Sequence, residues 1–157
     1  MTTPTTTPIL AFKQAVFDVL TDAVASLTST GEPARVFYNY PGDANVTRQC
    51  IVLNRAHITS SIDGMRSSRA PRLQEFALEL DLVANDAAAN LDSSSRGSEA
   101  LVLELFDALD NALADDPSLG DVVLTSQIDT FTFDSFPASS GMVTVMSGRI
   151  TATTRLL

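Results

Sequence analysis

The stretch Arg72-Leu-Gln-Glu-Phe-Ala-Leu-Glu-Leu-Asp-Leu-Val-Ala84 decides the fold. Its apolar residues recur at every second position from Phe76 to Leu82. An amphipathic helix would instead need apolar residues three and four positions apart. The acids of the stretch all lie at odd positions, on one side of a pleated strand: Glu75, Glu79 and Asp81. The pattern therefore predicts a half-buried β-strand with an apolar face and a row of carboxylates, called here the carboxylate row.

A helix is predicted ahead of this strand, over residues 8–28. Its apolar residues recur at steps of four and three, which is typical of a helix with one buried face. Thr7 is a suitable N-cap and Pro8 a suitable first helical residue. Gly31 and Pro33 are expected to end the helix.

Two strands are predicted between this helix and the deciding strand. Residues 36–40 are rich in aromatic and β-branched side chains and are followed by the turn sequence Pro41-Gly42-Asp43. Residues 47–59 carry apolar side chains at both odd and even positions, which indicates a strand covered on two sides for part of its length. The polar interval that follows predicts a long hairpin at about 59–72.

A second helix and two more strands are predicted after the deciding strand. Residues 85–98 are rich in Asn, Asp, Ala and Ser and are interpreted as a loop. Residues 99–114 have an apolar side and predict the helix. Strands are predicted over 122–136 and 142–157, and the last has so few charges that it should be central or covered by another chain.

These elements follow the order α-β-β-β-α-β-β. The compact arrangement for that order is a two-layer α+β domain, with a mainly antiparallel or mixed sheet covered by two helices. The 157 residues are enough for one ordinary domain, predicted over 8–157. Residues 1–7, mostly threonine and proline, predict a flexible N-terminal arm.

Composition excludes several classes of protein. A net charge of −9 disfavours broad nonspecific binding to nucleic acid, which needs a basic surface. The apolar runs are far shorter than the roughly 20 residues that span a bilayer, so no membrane partner is expected. The single cysteine, Cys50, excludes an intrachain disulfide and is expected in the core.

No pattern predicts a catalytic, metal-binding or cofactor-binding residue. The chain has one histidine, His57, and no Gly-x-Ser-x-Gly turn that would hold a nucleophile. Neither glycine-rich phosphate loops nor metal-ligand spacings occur. We therefore interpret the protein as a non-enzyme without a cofactor. The alternative is a small-molecule-binding or hydrolytic α+β domain in which His57 and the carboxylate row line a pocket.

The clearest charge feature is a series of three arginines in the predicted hairpin: Arg66, Arg69 and Arg72. They could simply keep a polar loop tip soluble, or they could form a docking arm, because a guanidinium binds carboxylates and phosphates well. The counter-surface on a neighbouring copy would be either the carboxylate row or the acids of the second helix: Glu104, Asp107 and Asp110.

The complete pattern resembles the tail terminator family of long-tailed bacteriophages, also called minor tail or tail completion proteins. The resemblance rests on the element order, the helix ahead of a Val36-Phe-Tyr38 strand, the arginine hairpin before Phe76–Leu82 and the closing strand Met142–Leu157. It covers nearly the whole chain.

The resemblance implies a structural virion protein that assembles in the host cytoplasm. Such a protein forms a homo-oligomeric ring, typically of six copies, at the head-proximal end of the tail. It caps the tube, stops polymerisation of the major tail tube protein and presents a surface to the head-tail connector protein, with possible DNA passage through the ring. A head–tail connector or neck completion protein is the alternative within virions.

Overall fold

The computed structural model describes residues 8–42, 48–62, 72–86, 91–138 and 141–156, and these form two helices and five strands. The helices are α1 (Pro8–Val24) and α2 (Leu91–Asp115). The strands are β1 (Arg35–Phe37), β2 (Gln49–Ile62), β3 (Arg72–Asp86), β4 (Thr125–Ala138) and β5 (Gly141–Leu156). The predicted element order and the α+β class are confirmed.

The strands form one mixed sheet in the order β1-β2-β3-β5-β4. Only β1 and β2 pair in parallel, while the other neighbours are antiparallel. The deciding strand β3 lies in the centre of the sheet, and the C-terminal strand β5 is also central, which was one of its two predicted positions. Among the described strands, β4 is one edge, and the other edge is β2 wherever the short β1 does not cover it.

Both helices pack on one face of the sheet, called here the helix face. The alternating apolar residues of β3 contribute the centre of this core and are almost fully buried: Phe76, Leu78, Leu80 and Leu82. Phe12 of α1 stacks on Phe76 with ring centroids 5.8 Å apart. From α2, Leu105 and Leu109 are fully buried in the same cluster. The core confirms the period-2 interpretation of β3.

The second helix begins at Leu91, eight residues before its predicted start, and β3 extends to Asp86, so the loop predicted over 85–98 is wrong at 85–86 and 91–98. Its residues 87–90 lie outside the described residues. Tertiary contacts explain the difference, since they override the weak helix propensity of Asn, Asp and Ser. A Cβ at Gly97 would overlap the carboxylate of Asp86 at the end of β3, so glycine allows the helix to approach the sheet. Ser98 is fully buried, and its hydroxyl lies 2.7 Å from that of Thr144 on β5.

Other boundaries differ by a few residues. Helix α1 ends at Val24 instead of residue 28. Strand β1 stops at Phe37, before Tyr38, whose ring packs edge-on against Phe17 of α1. Strand β4 starts at Thr125, because Leu119 and Asp121 adopt positive φ in the turn that precedes it.

Two predictions lie wholly or mainly outside the described residues. These are the flexible arm at 1–7 and the tip of the hairpin predicted at 59–72. The two strands that would carry this hairpin pair with each other as far as Ile62 and Leu73.

Candidate assembly surfaces

The sheet face opposite the helices, called here the far face, carries the carboxylate row. Glu75, Glu79 and Asp81 are each half-buried on it, because they alternate along β3 with the core residues. The adjacent parts of β2 and β5 add polar side chains at the same level, including Asn54 and Ser147. The far face is therefore polar around the middle of β3.

Side chains of the same chain already bind two of these carboxylates. Arg55 of β2 donates from Nε to Glu79 at 3.2 Å. Asp81 accepts hydrogen bonds from Asn54 Nδ2 at 3.1 Å and from Ser147 Oγ at 2.6 Å. The far face consequently holds these two carboxylates in fixed positions within the subunit.

Four alternating charges cross the far face from one sheet edge to the other: Arg55 on β2, Glu79 on β3, Arg149 on β5 and Asp129 on β4. Glu79 and Arg149 lie directly opposite each other in the β3–β5 register. Arg149 donates from Nε to Asp129 Oδ2 at 2.6 Å. This bond, followed by a backbone hydrogen bond from Thr130, holds the pKa of Asp129 below its ordinary value. We call these four residues the charge row.

Both ends of the charge row coincide with irregularities in edge strands. Arg55 lies in the register shift between Leu53 and Ala56. Asp129 lies in the shift between Ile128 and Phe131. A bulge changes the direction of a side chain and locally disrupts pairing. The two edges therefore present opposite charges at the same height of the sheet.

The acids of α2 are on the other layer of the domain. Glu104 is half-buried and accepts hydrogen bonds from Ser29 Oγ at 3.0 Å and from Gln49 Nε2 at 3.1 Å. Asp107 and Asp110 are exposed. The structure thus brings Glu104 into contact with β2 and leaves the other two acids on the surface, apart from the carboxylate row.

The predicted docking arm lies mainly outside the described residues. Arg66 and Arg69 lie outside the described residues. Arg72 is the first residue of β3, where its Cα pairs with that of Leu156 on β5. Their role in an interface stays a prediction.

His57 is half-buried on β2 and pairs with Ala77 of β3. Its Nδ1 is buried without a hydrogen-bond partner. The shallow depression that contains Glu79 and Asp81 is lined also by Asn54 and Arg149, and the one that contains Glu75 by Gln127 and Thr151. Neither of them includes His57, which the pocket of the hydrolytic alternative would require.

Strand β4 also exposes two aromatic side chains near its C-terminal end. Phe133 is 53% exposed and Phe136 is 46% exposed. Sequence inspection did not single them out, although their positions on a predicted strand are the signal that could have done so. Phe133 is opposite Met146 and Phe136 is opposite Val143, so the two rings lie on opposite faces of the sheet and do not form one apolar patch.

The described part of the chain contains neither a candidate metal site nor a candidate membrane-spanning helix. Within it, no cluster of three or more His, Cys, Asp and Glu side chains could hold a metal ion. No helix in these residues is both long and apolar enough to cross a membrane.

Comparison with known proteins gives a structural match only. The sequence matches no established family profile and no curated protein. Among solved structures, the fold matches a chain described as part of the virion of a native gene transfer agent particle, with a TM-score of 0.59 and 14% sequence identity. The match covers 97% of this chain and 100% of that chain. This chain therefore shares its fold with a chain of that gene transfer agent particle.

Proposed function

We propose that this protein is a structural component of a phage or phage-like virion and that it acts as a tail terminator. The observation that carries the proposal is the fold match to a gene transfer agent virion chain along nearly all of both chains. The element order and the arginine hairpin, which resemble those of tail terminators, support the same function. The protein acts by assembly and has no catalytic role.

In this function the protein forms a closed ring, expected to contain six copies, at the head-proximal end of the tail. The ring binds the last layer of the major tail tube protein and so stops further polymerisation. Its other side binds the head-tail connector protein, and DNA passes through its centre. A ring requires two different patches on each subunit, each complementary to the other.

The distribution of charge on the domain is compatible with such patches. The exposed acids Asp107 and Asp110 lie on α2, whereas the arginine hairpin is predicted in the sequence between β2 and β3. We propose that Arg66, Arg69 and Arg72 bind carboxylates of a neighbouring subunit or of the tube protein. Arginine suits this role because its planar guanidinium forms two parallel hydrogen bonds with a carboxylate.

Native mass spectrometry together with tube assembly tests the proposal. Six copies of the 16.7 kDa chain would give a species of about 100 kDa. Added to polymerising tail tube protein, the chain should shorten the tubes and appear by electron microscopy as extra density at one tube end. A protein that stays monomeric at high concentration and leaves tube length unchanged would contradict the proposal. Binding to the connector without binding to tube ends would indicate a neck completion protein instead.

A further inference from the structure

We propose that neighbouring subunits meet edge to edge, with β4 of one copy beside the part of β2 that β1 leaves uncovered in the next copy. In this contact Asp129 of one subunit lies against Arg55 of its neighbour. The inference rests on the proposed function, because it assigns the subunit contact of the ring.

Neither edge of the sheet is fully paired within the described residues. Strand β1 pairs with β2 only from Cys50 to Val52, although β2 continues to Ile62. On the opposite side of the sheet, no described strand pairs with the outer edge of the 14-residue strand β4. Long unpaired edges are templates for pairing with another chain.

The two free edges lie at the same height of the sheet. The registers connect Ala56 through Leu78 and Ile150 to Ile128. Two residues further along each strand, they connect Ile58 through Phe76 and Ala152 to Ser126. The uncovered half of β2 is thus level with the first half of β4, so neighbouring sheets need little displacement along the strands to bring these halves together.

The direction of the strands suits this pairing. Strands β2 and β5 run one way, and β3 and β4 run the other, because each neighbouring pair from β2 to β4 is antiparallel. When a copy is rotated about an axis roughly parallel to the strands, its β2 meets β4 of the previous copy in antiparallel orientation. Such strands can form the ordinary antiparallel ladder.

The charges at the two edges also favour this contact. Arg55 ends the charge row at the β2 edge, and its side chain is 74% exposed. Its Nε binds Glu79, but a guanidinium has five N–H donors and can bind a second carboxylate. Asp129 ends the row at the β4 edge. Edge charges commonly protect a sheet against indiscriminate pairing. Opposite charges at the two edges specifically favour pairing of one edge with the other and disfavour pairing of like edges.

Disulfide trapping tests this contact. The introduced cysteines would be Arg55→Cys and Asp129→Cys in one chain. Within a subunit the two positions are three strand spacings apart, about 14 Å at roughly 4.8 Å per spacing. A disulfide requires Cα atoms within about 7 Å, so only neighbouring subunits can be linked. After mild oxidation we expect a ladder of dimers, trimers and larger species up to the full ring on a non-reducing gel.

Four controls make the result specific. The unmodified chain should give no ladder, because its one cysteine, Cys50, is buried. A mixture of chains that each carry one of the two substitutions should stop at dimers. The pair Arg55→Cys with Asp107→Cys, which uses an exposed acid on α2, should give no ladder. A dimer formed by Asp129→Cys alone would show that like edges meet and would overturn the inference.

Native mass spectrometry of the unmodified chain, taken together with the gel of the double variant, separates the two proposals. Rings with a disulfide ladder support both proposals. Rings without a ladder would overturn the edge contact and leave the terminator proposal standing. The absence of both rings and ladder, with circular dichroism showing a folded chain, would overturn the ring itself and the contact with it.

Discussion

Gly148 of β5 lies directly opposite Phe131 of β4. The Phe131 ring packs over the glycine and extends toward α2. The ring then meets Phe106 of the helix edge-on, with centroids 5.5 Å apart. A Cβ at position 148 would lie 2.5 Å from the Thr130 carbonyl oxygen and would also overlap the ring. Glycine therefore allows the edge strand β4 to attach to the helix layer.

The first prediction follows from this crossing. Gly148→Ala should lower the free energy of unfolding by about 1–3 kcal/mol, the usual cost of forcing extra volume into a packed site. In an open strand the same change would be neutral or favourable, so the sign tests the crossing. Urea denaturation measures the effect, with Thr132→Ala on the exposed side of β4 as a control. An unchanged midpoint would show that the Phe131 ring lies elsewhere.

A second prediction concerns the hydroxyl contacts between α2 and the sheet. Thr144 is fully buried, and its hydroxyl lies 2.7 Å from those of both Ser98 and Ser135. Thr144→Val keeps the shape of the side chain and removes these hydrogen bonds, so we expect a loss of about 1–3 kcal/mol in unfolding free energy. Thr151→Val, on the far face of the same strand, should change it much less. Equal effects of the two substitutions would contradict the assignment.

The third prediction concerns the charge row and pH. The hydrogen bond from Arg149, together with that from the Thr130 backbone, lowers the pKa of Asp129 from its ordinary value. The ionised carboxylate is thus favoured in the folded state. Its contribution to stability is present above the unfolded pKa and is lost as the pH falls through the folded pKa. Arg149→Met should raise the Asp129 pKa, as measured by carboxyl-carbon NMR titration, and Arg35→Met on β1 should not. An unchanged pKa after Arg149→Met would mean that the pair does not form in solution.

The fourth prediction concerns the arginine hairpin. Replacing Arg66, Arg69 and Arg72 together by serine should shift the melting temperature by no more than about 2 °C, because exchanging polar residues in a predicted hairpin and at the first residue of a strand usually changes stability little. The same variant should bind tube ends or neighbouring subunits more weakly. Arg96→Ser, an exposed arginine of α2, is a matched control. A large loss of monomer stability would assign the hairpin to the fold instead of to assembly.

Local patterns were sufficient to predict the elements that form the core. The alternation from Phe76 to Leu82 predicted a strand with one buried face, since burial on a pleated sheet has a period of two residues. The helical spacing from Phe12 onward predicted α1 for the same kind of reason. Cys50 was expected in the core and is fully buried. In each case the signal is contained within a few consecutive residues.

The remaining features depend on contacts between distant parts of the chain. The early start of α2 depends on the fit of Gly97 against Asp86 and on the contact between Ser98 and Thr144. The charge row depends on strand order and register, so the pairing of Arg149 with Asp129 has no local signature. Of its four members, only Glu79 was singled out from the sequence. Sequence reasoning located the acids of β3 but not the arginine of β2 that binds one of them.

The opposite charges at the two sheet edges have a consequence for the shape of the proposed ring. Subunits joined through unlike edges all point the same way around the axis, and no two-fold axis relates one side of the ring to the other. The assembly therefore has two chemically different rims. A ring of this kind can bind a tube on one rim without binding it on the other, so it can end a polymer without starting a new one.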